Sequence, residues 1–159
     1  MTNKTKRKNN EKKQEDLMIA IGSDHGGFEL KKELMAHLDE RGIEYKDYGT
    51  YTADSCDYTE YGKKVAHAVA DGECELGILV CGTGLGISIT ANKVKGIRAA
   101  VCTDCFCAEM TRLHNDANIL CMGGRVVGAG LAIKIMDTFL DTPFSNEERH
   151  IRRISKIED

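Results

Sequence analysis

Aromatic side chains make up only 6% of this 159-residue chain, and tryptophan is absent. A core stacked from large rings is thereby excluded. The 42% of apolar residues must fill the interior with Ile, Leu, Val, Ala and Met packed closely against glycine, a composition that suits a parallel α/β sheet. No apolar run is long enough to span a membrane and no secretory hydrophobic region is found, so no membrane partner is expected. The setting is expected to be reducing and cytoplasmic, with the seven cysteines as free thiols. Metal-ligand spacing is lacking as well. The cluster Cys102, Cys105 and Cys107 has no second Cys or His pair beside it, which argues against a structural zinc site. A thioredoxin-like role for Cys102 and Cys105 has as little support. No metal and no cofactor is expected.

The net charge of −3 hides an asymmetry, because the first sixteen residues hold six Lys or Arg against three Asp or Glu, leaving about −6 on the rest. That basic stretch has neither aromatics nor a pattern that would read bases, so residues 1–16 are expected to form a disordered basic tail with no nucleic-acid partner. Residues 17–159 fit a single domain, ending in a basic helical segment.

LMIAIG, from Leu17 to Gly22, is a continuous apolar run that predicts a strand buried on both faces. Leu30, Leu34 and Leu38 then fall at helical spacing, with Gly42 as the expected cap. A strand is expected over 43–48, and a helix from about Tyr58 with Tyr61, Val65, Ala68 and Val69 inward. GILVC at 77–81 repeats the buried-strand pattern. A short helix from Ile87, a strand over 97–102, a helix over 104–113, a strand from Asn118 to Met122 and a helix through Leu131, Ile135 and Phe139 complete the alternation. The fold class expected is a three-layer α/β/α Rossmann-like domain with a parallel sheet of about five strands. Ligands in such sheets bind outside the carboxyl ends of the strands. Those ends run here into Asp24-His25, Cys81-Gly82-Thr83-Gly84, Thr103-Asp104 and Gly124-Arg125.

CGTGLGIS, Cys81 to Ser88, is the most informative stretch, because Gly82, Gly84 and Gly86 let backbone amides converge on an anion. A dinucleotide fingerprint fails at Ile87, which occupies its third glycine position, and a P-loop fails for want of Gly-Lys-Ser/Thr. No Arg closes the loop as a cysteine phosphatase would need. A cysteine at the mouth of an amide-lined loop can move a proton, and the same amides can hold an enediolate. For Cys56, Cys74 and Cys121 a buried apolar role is expected. His114, in RLHNDAN, stands at a helix end before a strand, a polar histidine in a polar loop. Arg149 and Arg153 lie four apart, on one face if the segment is helical, and such a pair can grip a phosphate.

These segments resemble the ribose-5-phosphate isomerase B family, whose relatives include allose-6-phosphate and galactose-6-phosphate isomerases. The resemblance runs from Met18 to about Ile154. SDHGGFELK, YGT, DYTEYG, ILVCGTGLGIS, RLHNDANIL, GGRVVG and ERHIRR carry it, in order. It implies a ribose 5-phosphate to ribulose 5-phosphate isomerase with Cys81 as the base at C2 and Thr83 helping protons between the C1 and C2 oxygens. His114 would open the furanose ring. Asn115 and the amides of Gly82, Thr83, Gly84, Leu85 and Gly86 would hold the enediolate. Asp24 and His25 would contact the sugar phosphate opposite, and Arg125, Arg149 and Arg153 would bind phosphate. Asp57 and Tyr58 match the family's Asp-Tyr-Pro segment, although Thr59 stands where proline is usual.

Cys81 closes a strand whereas His114 precedes one, so they are expected at opposite edges of the sheet. A homodimer, or a dimer of dimers, with active sites shared across the interface would bring them together. Allose 6-phosphate and galactose 6-phosphate are the alternative substrates. A non-catalytic sugar-phosphate-binding subunit would have lost the base or the ring opener, and a nucleotide-binding regulatory domain lacks the glycine spacing.

Overall fold

Strand and helix alternate as the apolar pattern requires, in a computed structural model that describes residues 17–159; the basic stretch 1–16 lies outside the described residues. The order is β1 (Met18–Ser23), α1 (Phe28–Arg41), β2 (Glu44–Asp47), α2 (Tyr58–Ala70), β3 (Leu76–Cys81) and α3 (Leu85–Ala91). It continues with β4 (Ala99–Val101), α4 (Cys105–Asn115), β5 (Ile119–Gly123), α5 (Ala129–Asp141) and α6 (Glu148–Glu158). The five strands form one sheet in the order β2-β1-β3-β5-β4, with every neighbouring pair parallel. No helix among the described residues is long and apolar enough to cross a membrane.

Side-chain alternation along the central strands decides which layer each residue meets. Ile19, Ile21, Ile78, Val80, Leu120 and Met122 face α1, α4 and α5, where they bury Leu34, Leu38, Ala108, Ile135 and Phe139. Ala20, Leu79, Cys81, Ile119 and Cys121 face the other way, onto Val65, Val69, Ile87 and Ala91 of α2 and α3. Cys81 thus closes β3 on the α2/α3 side. α4, which carries His114, belongs to the opposite layer, and α6 packs outside it.

Several boundaries differ from the sequence expectation. β4 pairs only over Ala99–Val101, because Arg98 leaves the ladder to give its amide to Asn118 Oδ1 and its guanidinium to the carbonyls of Asn115 and Asp116. α3 starts at Leu85 rather than Ile87, following Gly84 in the left-handed region. Leu131 faces outward, and α5 buries Ala132, Ile135, Met136 and Phe139. Tyr61 is only half-buried. α1 ends as expected, on Gly42 at φ 65°.

Lys31 is the one buried lysine among the described residues, 1% exposed. Its Nζ donates to both oxygens of Asp47, at 2.6 and 2.8 Å, and to the Thr50 carbonyl at 2.7 Å. One buried charge therefore ties the end of β2 and the following turn to α1, and fixes where the chain sets out toward Asp57. Removing Asp47 strands that charge. Asp47→Ala should lower the unfolding free energy by about 3 kcal/mol, with much of it recovered in Lys31→Met/Asp47→Ala. Urea denaturation of the three proteins measures both.

Candidate active site

The register levels the carboxyl ends of the three central strands, since Ser23 pairs with Val80 and Cys81 with Gly123. The loops leaving them gather at one edge. Cys81 is 5% exposed, and its Sγ accepts a hydrogen bond from the Gly84 amide at 3.1 Å. A donor therefore already faces the sulfur on which negative charge would form. The loop is bound to its neighbour strand by Gly124 N to the Cys81 carbonyl at 2.8 Å and Arg125 N to the Gly82 carbonyl at 3.0 Å. Two glycines make this fit possible. Gly84 adopts φ 81°, and a Cβ on Gly123 would lie 2.7 Å from the Thr83 carbonyl carbon. Thr83 is exposed and takes the Leu85 amide on its hydroxyl at 3.3 Å.

The other residues expected here arrive from three directions. Asp24, 6% exposed, accepts the Gly27 amide on Oδ1 at 3.1 Å, and the adjoining Gly26 approaches Gly82. The Arg125 side chain passes over Gly82, its Nη1 3.4 Å from where a Cβ would stand. Asp57 precedes α2 at its N-cap position. The Tyr58 ring lies against Gly86, where a Cβ would come within 2.7 Å of Cζ.

Cys56 is corrected by the structure. It is half-buried rather than a core cysteine, and its amide donates to His25 Nδ1 at 3.2 Å, with Sγ 3.9 Å from the same nitrogen. His25 accepts on Nδ1 and is held by a loop distant from it in sequence. Cys74 and Cys121 are buried as expected, and all seven cysteines stand unbridged. Burial pushes the Cys102 thiol up to about 12 and Cys121 well above its ordinary value, so neither is poised for redox exchange.

The second group lies elsewhere. His114 and Asn115 are exposed in the last turn of α4, in helix rather than in a loop. Arg149 and Arg153 do share a helix, α6, and Arg149 Nε rests 2.7 Å from Glu147. Between the groups runs the length of β5, about 13 Å at 3.3 Å per residue. Cys81 and His114 also start from opposite layers. The structure thus brings together Asp24, His25, Asp57, Tyr58, Cys81–Gly86 and Arg125, and separately His114, Asn115, Arg149 and Arg153. A cavity of about 540 Å³ opens beside the second group, walled by Asn92, Arg98, Ala99, Thr111 and Asn115. It does not reach Cys81.

His150, within ERHIRR, has no role in the sequence expectation. It is the one buried residue of α6, and its ring lies 4.4 Å from that of His114, tilted by 45°. A solitary histidine between Arg149 and Arg153 in an amphipathic helix was the available signal.

A family model described as Ribose/Galactose Isomerase matches residues 19–157. The ribose-5-phosphate isomerase B of Escherichia coli is 51% identical over 139 residues, 87% of this chain and 93% of that protein. The structure of Clostridium thermocellum ribose-5-phosphate isomerase B superimposes with a TM-score of 0.88 at 56% identity, covering 89% of this chain and 95% of that one. A ribose 5-phosphate isomerase from Thermotoga maritima gives 0.88 at 52% identity, covering 90% and 98%.

Proposed function

The chain belongs to the ribose/galactose isomerase family, and from that membership we propose that it interconverts ribose 5-phosphate and ribulose 5-phosphate through an enediolate. The observation that carries the chemistry is the Gly84 amide directed at Cys81 Sγ, 3.1 Å away, at the mouth of a glycine-rich loop. A base and an array of donors for the resulting oxyanion then come from one turn of chain.

His114 opens the furanose ring, exposing the C1 aldehyde. Cys81 takes the proton from C2, which makes the C1 oxygen anionic, and returns a proton to C1 as the carbonyl re-forms at C2. Thr83 carries protons between the two oxygens. Asn115 and the amides of Gly82 to Gly86 hold the enediolate, and Asp24 and His25 contact the far side of the substrate. Asp57 and Tyr58 close the wall over Gly86. Arg125, Arg149 and Arg153 take the phosphate, so Arg149 exchanges its exposed pairing with Glu147 for a dianion at little cost. Ring opening breaks the bond between C1 and the ring oxygen as the proton of the C1 hydroxyl leaves and one is delivered to that oxygen; the later steps are proton transfers between groups of the chain and the sugar.

One subunit does not supply all of these groups at one place. A two-fold dimer, alone or paired into a tetramer, completes each site with His114, Asn115, Arg149 and Arg153 of the partner subunit. Those four residues share one end of the α4/α6 pair and would arrive together.

Arg149→Ala and Arg153→Ala should each raise KM for ribose 5-phosphate roughly tenfold to a hundredfold, the loss of a charge-assisted contact of about 1.5–3 kcal/mol. Steady-state kinetics of the two variants checks this, and unchanged constants in both would return α6 to a solvated basic face. Substrate choice is tested by comparing turnover of ribose 5-phosphate, allose 6-phosphate and galactose 6-phosphate by the untagged protein, with and without a chelator. The expected result is the highest kcat/KM on the pentose, indifferent to chelation. Preference for galactose 6-phosphate would assign the chain to the other branch of its family.

A further inference from the structure

His150 is buried, 3% exposed, on a helix whose other residues are exposed or, at Ile154 and Glu158, half-buried. Burial of this kind on an amphipathic surface helix normally falls to an aliphatic residue. Two contacts occupy the imidazole. The ring meets that of His114 at 4.4 Å between centroids, tilted by 45°, and Nδ1 shares a hydrogen bond of 2.8 Å with Ser145 Oγ. Ser145 is itself fixed, since its amide donates to the Leu113 carbonyl at 3.2 Å and its hydroxyl receives the Glu147 amide at 3.3 Å. The Leu113 carbonyl belongs to the residue before His114. A closed path therefore runs from α4 through Ser145 to His150 and back onto the His114 ring.

We propose that His150 is a positioning residue for His114, holding the exposed imidazole in one orientation by ring packing and being held in turn by Ser145. The inference rests on the reading of His114 as the ring opener. An exposed histidine in the last turn of a helix is otherwise free to sample its rotamers, and ring opening needs one nitrogen aimed at the ring oxygen and its neighbouring hydroxyl. Burial first, then the adjacent His114 ring and Arg149, hold the His150 imidazole below the ordinary histidine range, against the opposing pull of Glu147. A neutral His150 can pack on His114 without opposing a proton there. Arg149 and Arg153 flank His150 on α6, so two of the arginines assigned to phosphate sit beside the contact with His114.

The test separates ring opening from enolisation. Ribose 5-phosphate is mainly cyclic, whereas ribulose 5-phosphate carries its phosphate on the oxygen that would have to close a furanose, and so stays open. Washout of its C1 proton into D2O, followed by NMR, consequently needs the base without the ring opener. His150→Ala should lose about tenfold to a hundredfold in ribose 5-phosphate turnover, the scale of a misaimed catalytic group, while ketose C1 exchange stays at the parent rate. Ser145→Ala should show a smaller loss with the same selectivity. A parallel fall of turnover and exchange would make His150 a support of the fold alone, and no change in either would make its packing idle; each overturns the proposal. His114→Ala serves as the reference. An aldose-selective loss there without one in His150→Ala sinks the positioning role only, whereas no aldose-selective loss in His114→Ala removes the ring-opener reading and the proposal with it.

Discussion

Cys81→Ala is expected to lower isomerisation by a factor of about 10² to 10⁴, to the edge of detection, while sugar-phosphate binding stays near the parent value. The thiol sits at the end of a buried strand with no base to replace it, since Gly82 and Gly84 have no side chain and Thr83 offers only a hydroxyl. The cavity left is small. Cys81 belongs to the buried cluster that holds Val65, Ile87 and Ala91, and alanine keeps the Cβ, so the fold should survive the change. Phosphate contacts lie on other residues and persist. Steady-state assays beside calorimetric binding of ribose 5-phosphate separate the two properties. Near-normal turnover in the variant would reduce Cys81 to a structural cysteine like Cys121.

Mixing two dead proteins should restore activity. Cys81→Ala and His114→Ala, unfolded together and refolded at equal concentration, give mixed dimers in which one site carries both lesions and the other carries neither. Random pairing then rebuilds roughly a quarter of all sites. The expectation comes from topology: Cys81 faces the α2/α3 layer at the carboxyl edge of the sheet, while His114 ends a helix of the opposite layer at the amino edge. Mass spectrometry verifies that mixed dimers form. A mixture as inactive as its parents, with mixed dimers present, would show that each site is built within one chain.

The central strands were legible in the sequence because they are buried on both faces, and LMIAIG and GILVC have no polar residue to interrupt the run. The turn at Cys81–Gly86 was legible too, since amide convergence and close strand approach both demand glycine. The edge of the sheet was less so. Nothing in IRAAVC signals that Arg98 would be drawn off to the carbonyls at the end of α4, and an edge strand paired on one side has little to hold it. Likewise, the links from Cys56 to His25 and from Ser145 to His150 join residues that only the folded loops bring together. Local spacing contains no trace of either. The residues proposed for the chemistry came from sequence motifs, whereas the side chains packed against them, such as His150 beside His114, came only from the fold.

Isomerisation in D2O tests most directly whether a base moves a proton through an enediolate. Unlabelled ribose 5-phosphate turned over by the untagged protein, with the product examined by NMR, should yield ribulose 5-phosphate carrying solvent deuterium at C1. Ribulose 5-phosphate that still carries no deuterium at C1 after many reversible turnovers, through which a thiol holding the proton would exchange it with solvent, would signify hydride transfer between the carbons, and absence of turnover would remove the activity itself; either result contradicts the role assigned to Cys81.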